Sequence, residues 1–180
     1  MAEPSTIVRN HVADGIASQA IYSDCAVYRY ALTRRWDPAG GRLGYVMLNP
    51  STASEVQNDP TVERCQRRAL RLGFGAFRVC NLFAWRATAP ADLRRAEQPV
   101  GPANDAAILE CARWADLLIV AWGVHGAHLG RGLEVEAMLR AAGVAMHHLG
   151  LSRDGHPRHP LYLPYAREPR IWEAPFPAHA

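Results

Sequence analysis

Apolar and polar positions divide the chain into alternating extended and helical stretches. Residues 24–32 carry aromatic and β-branched side chains and lead into Trp36, Asp37, Pro38, Ala39, Gly40 and Gly41, a dense turn signal. A second apolar run, residues 43–48, stops abruptly at Asn49 and Pro50. Together the two runs predict an antiparallel hairpin leading into a core strand. Asn58 and Asp59 then offer an N-cap, with Pro60 at the first helical position, and Val62, Cys65, Ala69 and Leu72 recur at helical spacing up to Gly73. The other face of this helix carries Arg64, Arg67, Arg68 and Arg71, which reads either as a solvated face or as a phosphate-binding stripe.

Residues 77–83 predict a strand, 104–115 a helix, and 116–122 the most continuous apolar strand of the chain. A helix over 133–142 closes at Gly143, and 144–149 is the last strand; the proline-broken stretch 90–102 wraps the surface. Strands alternating with helices predict one three-layer α/β domain over residues 24–165, with a mainly parallel central sheet of about four strands and an antiparallel hairpin before it. Residues 1–23 read as an N-terminal extension and 166–180 as a C-terminal tail.

In such sheets ligands bind beyond the carboxyl ends of the strands, and the least ordinary residues of the chain fall there. Asn49, Pro50, Ser51 and Thr52 follow the first core strand; Asn81, Phe83, Trp85 and Arg86 straddle the end of the second. Trp122, Gly123 and His125 follow the third, and His156, Arg158 and His159 lie beyond the fourth. Asn49 can face a ligand or cap the turn. Ser51 and Thr52 can donate to a phosphate or cap the following segment. Asn58 and Asp59 are first a helix cap, and Asp59 is the leading carboxylate for activating water. Asn81, within an apolar strand, needs a partner in the backbone or in a ligand. Trp85 and Arg86 supply a stacking surface and a planar fork.

Composition narrows the chemistry. All 20 basic residues are arginine, which leaves no lysine for a Walker-type phosphate loop, a Schiff base or covalently held pyridoxal phosphate. No cofactor is expected. The histidines match no zinc pattern, so no metal site is expected either. The net charge of +3 permits a nucleic-acid partner without demanding one. Cys65, Cys80 and Cys111 sit in apolar patterns and read as buried thiols of a reducing compartment. Met1 to Ser5 lacks the regions of a signal peptide and no apolar run reaches membrane-spanning length, so a cytoplasmic protein without membrane contact is expected. Oligomeric state is not readable.

Two resemblances add to this reading. Residues 46–53, Asn58, Asp59, Pro60 and Thr61, residues 81–88, Ala121, Trp122 and Gly123, and residues 155–162 together resemble an uncharacterised bacterial family, domain of unknown function 1643, over about residues 25–165. The order of an Asn-Pro-Ser loop, a second-strand asparagine and a late His-Pro loop is similar to the uracil-DNA glycosylase superfamily. That second resemblance implies a glycosylase-like sheet. It also implies that Asn49 positions water, Asn81 reads a base, and His156 or His159 stabilises the departing base. The expected function is then N-glycosidic bond hydrolysis on a nucleobase, nucleotide or nucleic acid. The alternatives are a non-catalytic nucleotide or nucleic-acid binding module, and a small-molecule hydrolase using Ser51 or Cys80.

Overall fold

The computed structural model describes residues 5–173. Met1 to Pro4 and the final stretch 174–180 of the expected C-terminal tail lie outside the described residues. Eight strands, β1 (Thr6–Ala13), β2 (Ile16–Ser23), β3 (Arg29–Arg35), β4 (Gly41–Met47), β5 (Phe74–Asn81), β6 (Leu117–Val120), β7 (Met146–His148) and β8 (Arg170–Ile171), form one sheet. Four helices accompany them: α1 (Pro60–Arg71), α2 (Pro90–Arg95), α3 (Asn104–Trp114) and α4 (Arg131–Ala141).

The strand order is β1-β2-β3-β5-β4-β6-β7-β8. Pairing is antiparallel from β1 through β3 to β5, parallel from β5 through β4 and β6 to β7, and antiparallel again at β8. This overturns the expected glycosylase-like sheet of about four mainly parallel strands: the sheet is mixed, twice as wide, and antiparallel throughout its N-terminal half. Residues 6–23, read as an extension, are the first two of its strands. They meet at Asp14 and Gly15, both with positive φ (53° and 76°), the backbone of a two-residue hairpin turn. The Asp-Gly pair was the available signal, but β1 is exposed along nearly its whole length and shows no apolar alternation.

The expected hairpin between residues 24–32 and 43–48 is also corrected, because β5 inserts between β3 and β4. The turn at residues 36–40 steps over the start of β5 instead: Trp36 and Asp37 N–H both donate to Gly75 O at 3.0 Å. Only glycine fits there, since a Cβ on residue 75 would lie 2.4 Å from Asp37 O.

Two apolar layers flank the sheet. Leu43, Tyr45, Met47, Phe77 and Val79 pack on Val62, Cys65 and Ala69 of α1. On the other side Val46, Cys80 and Val120 pack on Ile108 and Cys111 of α3 and on Val135 and Leu139 of α4. Burial on both faces explains why β4 and β6 read as continuous apolar runs. α1 forms as its sequence predicts, with Asp59 capping Val62 N–H, Pro60 in the first turn, and Gly73 beyond its end at φ +81°.

Candidate functional site

At the carboxyl ends of β4 and β5 the chain continues as a double ledge. Leu82 N–H donates to Met47 O (2.8 Å), Phe83 N–H to Leu48 O (3.0 Å) and Ala87 N–H to Pro50 O (2.9 Å), so residues 82–87 run beside 47–50. Asn49 stitches the pair together, its Nδ2 donating to Pro50 O (3.0 Å) and Ala87 O (2.8 Å). Both amide protons are thereby engaged and Oδ1 remains as an acceptor. Pro50 is buried, Thr52 is exposed, and Ser51 Oγ reaches Thr88 Oγ1 at 3.5 Å.

The loop from Asn49 to Asp59 is held from beneath by two buried arginines of β3. Arg29 Nη1 donates to Ala53 O at 2.5 Å, and Asp59 Oδ2 accepts from Ala53 N–H at 3.2 Å, so both backbone groups of one residue are fixed. Arg34 donates to Ser54 O (2.5 Å), Gln57 O (3.3 Å) and Asn58 Oδ1 (3.1 Å). Asn58 Nδ2 goes to Glu63 and Gln66 of α1, which makes Asn58 a structural bracket. Asp59 caps α1 and braces the loop at once. Neither arginine was singled out from sequence, because an arginine in a strand ordinarily reads as exposed.

Asn81 ends β5 opposite Met47, on the sheet face covered by α1. Its side chain is 2% exposed, and neither Nδ2 nor Oδ1 has a hydrogen-bond partner. Each unsatisfied group costs about 1–3 kcal/mol. Its backbone, by contrast, is tightly held: Asn104 Nδ2 donates to Asn81 O and Leu82 O, both at 2.9 Å, and Arg131 Nε donates to Leu82 O at 3.0 Å. Arg131 is 2% exposed and pairs with Asp105 and Glu134. Asn104 and Arg131 escaped sequence reasoning because one sits at a helix start and the other looks like a helix-surface charge.

The late loop is tied to the end of β6 through Gly123 N–H, which donates to Pro157 O at 2.7 Å. His159 Nδ1 accepts from Leu161 N–H (3.4 Å), which leaves Nε2 as the protonated nitrogen of the neutral ring. Burial holds its pKa below the ordinary 6.5, with the Asp59 charge pulling the other way. The unfolded chain therefore takes up this proton at a pH where the folded chain still excludes it. Stability should be flat above about pH 6.5 and fall as pH drops through the folded value. His159→Gln should flatten that slope in denaturant titrations, leaving the part due to His148, which burial shifts in the same direction.

The sheet divides the remaining candidates. His156 lines a different cleft, about 320 Å³, with Trp122, Gly126, Leu133, Asp154 and Trp172 on the α4 side. Trp122 is 2% exposed and packs edge-on against Trp172 at 5.6 Å, and Phe83 is fully buried against His128 at 5.5 Å. Trp85, half-buried, meets Tyr28 edge-to-face at 5.7 Å beside a cleft of about 500 Å³ that also includes Asp92, Arg95 and Gln98. His125 and Arg158 are exposed; His125 Nδ1 lies 3.3 Å from Arg94, and Arg158 Nε donates to Leu151 O. Arg86 is exposed, with Nη1 on Ala26 O at 3.2 Å. Asn49, Asp59, Asn81 and His159 thus share the strand ends, whereas His156, Trp122 and Phe83 lie toward the α4 side.

Cys80 is buried, and the Cys111 thiol beside it together with burial pushes its own thiol well above the ordinary range, so it is no nucleophile. Among the described residues no cluster of three or more His, Cys, Asp or Glu side chains could hold a metal ion, and no helix is long and apolar enough to cross a membrane.

No curated protein and no solved structure matches the chain. A family model described as protein of unknown function (DUF1643) matches residues 29–161, a span from β3 to the late loop that contains Asn49, Asp59, Asn81 and His159. The chain belongs to that family, DUF1643.

Proposed function

We propose that this protein binds a nucleobase, free or within a nucleotide, at the carboxyl ends of β4 and β5, with the Asn81 amide reading the base edge. The observation that carries the reading is the unpartnered Asn81 side chain on a backbone fixed by Asn104 and Arg131. An amide offers one donor and one acceptor side by side, the complement of a base edge that presents an acceptor beside a donor. At 2% exposure the amide meets a ligand only when a covering segment moves aside, so binding includes a local rearrangement.

The test pairs affinity with stability. Leucine has nearly the shape of asparagine without its polar atoms. Asn81→Leu should therefore raise the unfolding free energy by about 1–3 kcal/mol while weakening nucleobase binding at least about tenfold in calorimetric titrations. Wild-type protein that binds no nucleobase or nucleoside, or Asn81→Leu that binds them as the wild type does, would refute the reading.

A second reading, N-glycosidic hydrolysis, is favoured by His159, which burial keeps neutral within the electrostatic reach of Asp59. In that reaction Asp59 accepts a proton from water as its oxygen bonds to the anomeric carbon. The carbon–nitrogen bond breaks, and His159 Nε2–H stabilises the departing base. His159→Ala should then abolish base release from nucleosides or nucleic acid, and His156→Ala should leave it intact. The exposed Cys25 and buried Cys65, Cys80 and Cys111, all free thiols, support a reducing, cytoplasmic setting for either activity.

A further inference from the structure

Positive charge gathers around Tyr22, where, among the described residues, four arginines face two carboxylates and form no ion pair. The guanidinium carbons of Arg9 and Arg86 lie 5.1 and 5.4 Å from the centre of the Tyr22 ring. Arg29 stands opposite Tyr22 in the β2–β3 ladder, 2% exposed, with its Nε unpartnered. Arg34, farther along β3, donates only to carbonyls and to an amide oxygen. Among the described residues none of these four makes an ion pair, whereas Arg42, Arg67, Arg78, Arg95, Arg131 and Arg140 each meet a carboxylate. The acids nearby are Glu55, which accepts from the Tyr22 hydroxyl at 3.0 Å, and Asp59, already holding two backbone N–H groups. Burial lowers the Arg29 pKa to about 10; Asp59 and then Tyr22 oppose that shift, and smaller repulsions from Arg86 and Arg34 add to it.

The other cationic surface, on α1, is not available in the same way. Arg68 Nη1 and Nη2 donate to Arg167 O and Pro164 O, Arg64 donates to Leu163 O and lies 4.3 Å over Tyr165, and Arg67 pairs with Glu63. Arg86, in contrast, gives only Nη1 to a carbonyl, Ala26 O, and is exposed at one end of the ledge whose other end is Asn81. Just beyond, on the two strands of the ledge, the hydroxyls of Ser51 and Thr88 approach each other at 3.5 Å. A planar guanidinium fork and hydroxyl donors carried on one ledge, where arginines outnumber carboxylates, match the oxygens of a phosphoryl group.

We infer that Arg86, supported by Arg9 and by the Ser51 and Thr88 hydroxyls, forms an oxyanion site for the phosphoryl group of a nucleotide. The nucleotide part of this inference rests on the reading that Asn81 binds the base. The site itself rests on the arginine cluster.

The test is titration of the full chain with inorganic phosphate, a nucleoside and its 5′-monophosphate at low ionic strength, with melting curves to verify folding. Inorganic phosphate should saturate. Arg86→Gln should weaken it about tenfold, and Arg9→Gln with Arg86→Gln further, while Arg113→Gln, an exposed arginine on α3, should change it less than about twofold. The monophosphate should bind more tightly than the nucleoside, and that advantage should vanish in Arg86→Gln. Absence of phosphate saturation, or equal weakening by Arg113→Gln, would overturn the site. A monophosphate that binds no more tightly than the nucleoside where the nucleoside binds, or an advantage that survives Arg86→Gln, would overturn it too. Phosphate binding that survives Asn81→Leu, with no nucleoside binding even in the wild type, would uphold the oxyanion site and remove the base reading.

Discussion

Asp59→Ala should lower the unfolding free energy by about 3–5 kcal/mol in urea titrations. Three losses combine. The N-cap of α1 disappears, which costs about 1 kcal/mol. Ala53 N–H, buried in the loop after β4, loses its acceptor, which costs a further 1–3 kcal/mol or so. Arg29, fully enclosed beneath the same loop, loses the negative charge that most favours its own. Asp59→Asn separates these contributions, because asparagine caps helices nearly as well as aspartate and carries no charge. It should fall between wild type and Asp59→Ala. A loss below about 1 kcal/mol in Asp59→Ala would mean that the loop is held by something other than this bracket.

Arg68→Ala should cost about 2–4 kcal/mol and expose residues 164–168 to proteolysis. The guanidinium of Arg68 holds Pro164 O at 3.0 Å, Tyr165 O at 3.4 Å and Arg167 O at 2.6 Å, and the residue is 1% exposed. Without it, three carbonyls of a segment with few regular hydrogen bonds lose a charged donor, and the segment is expected to lift from α1. Arg71, one turn farther along the same helix and exposed, should tolerate alanine with little change in stability. Equal tolerance at both positions would show that the segment is held elsewhere.

This contrast also explains why the stripe was ambiguous in sequence. Helical spacing places Arg64, Arg67, Arg68 and Arg71 away from the apolar face, but whether an arginine meets water or a carbonyl depends on which distant segment crosses it. The same limit hid Arg29, Arg34 and Arg131: each is buried because it satisfies backbone carbonyls of loops remote in the chain. Asn81 was legible as a buried amide in need of a partner, since its apolar neighbours show that the strand is covered. That its own backbone is held while its side chain goes unpaired was not legible, because the first depends on α3 and α4 and the second on what covers the α1 face. The histidines His156 and His159, three residues apart in a proline-stiffened loop, were indistinguishable until the structure separated His156, in the cleft lined by α4, from His159, half-buried against Gly123 at the end of β6.

By itself the sequence determined the elements whose causes are local. These are α1 from its cap, proline and periodicity; α3 and α4 from apolar spacing; β4 and β6 from continuous apolar runs; and the polar residues clustered where those strands stop. Strand order, and with it the fold class, was decided only by tertiary structure. Hydrogen bonding between strands leaves no mark on either partner's sequence, so nothing local announced that β5 would slip between β3 and β4. Nor did anything local announce that the exposed, patternless β1 would extend the sheet. A solvated strand next to a hairpin turn needs no apolar face to pair, and a buried arginine needs only carbonyls.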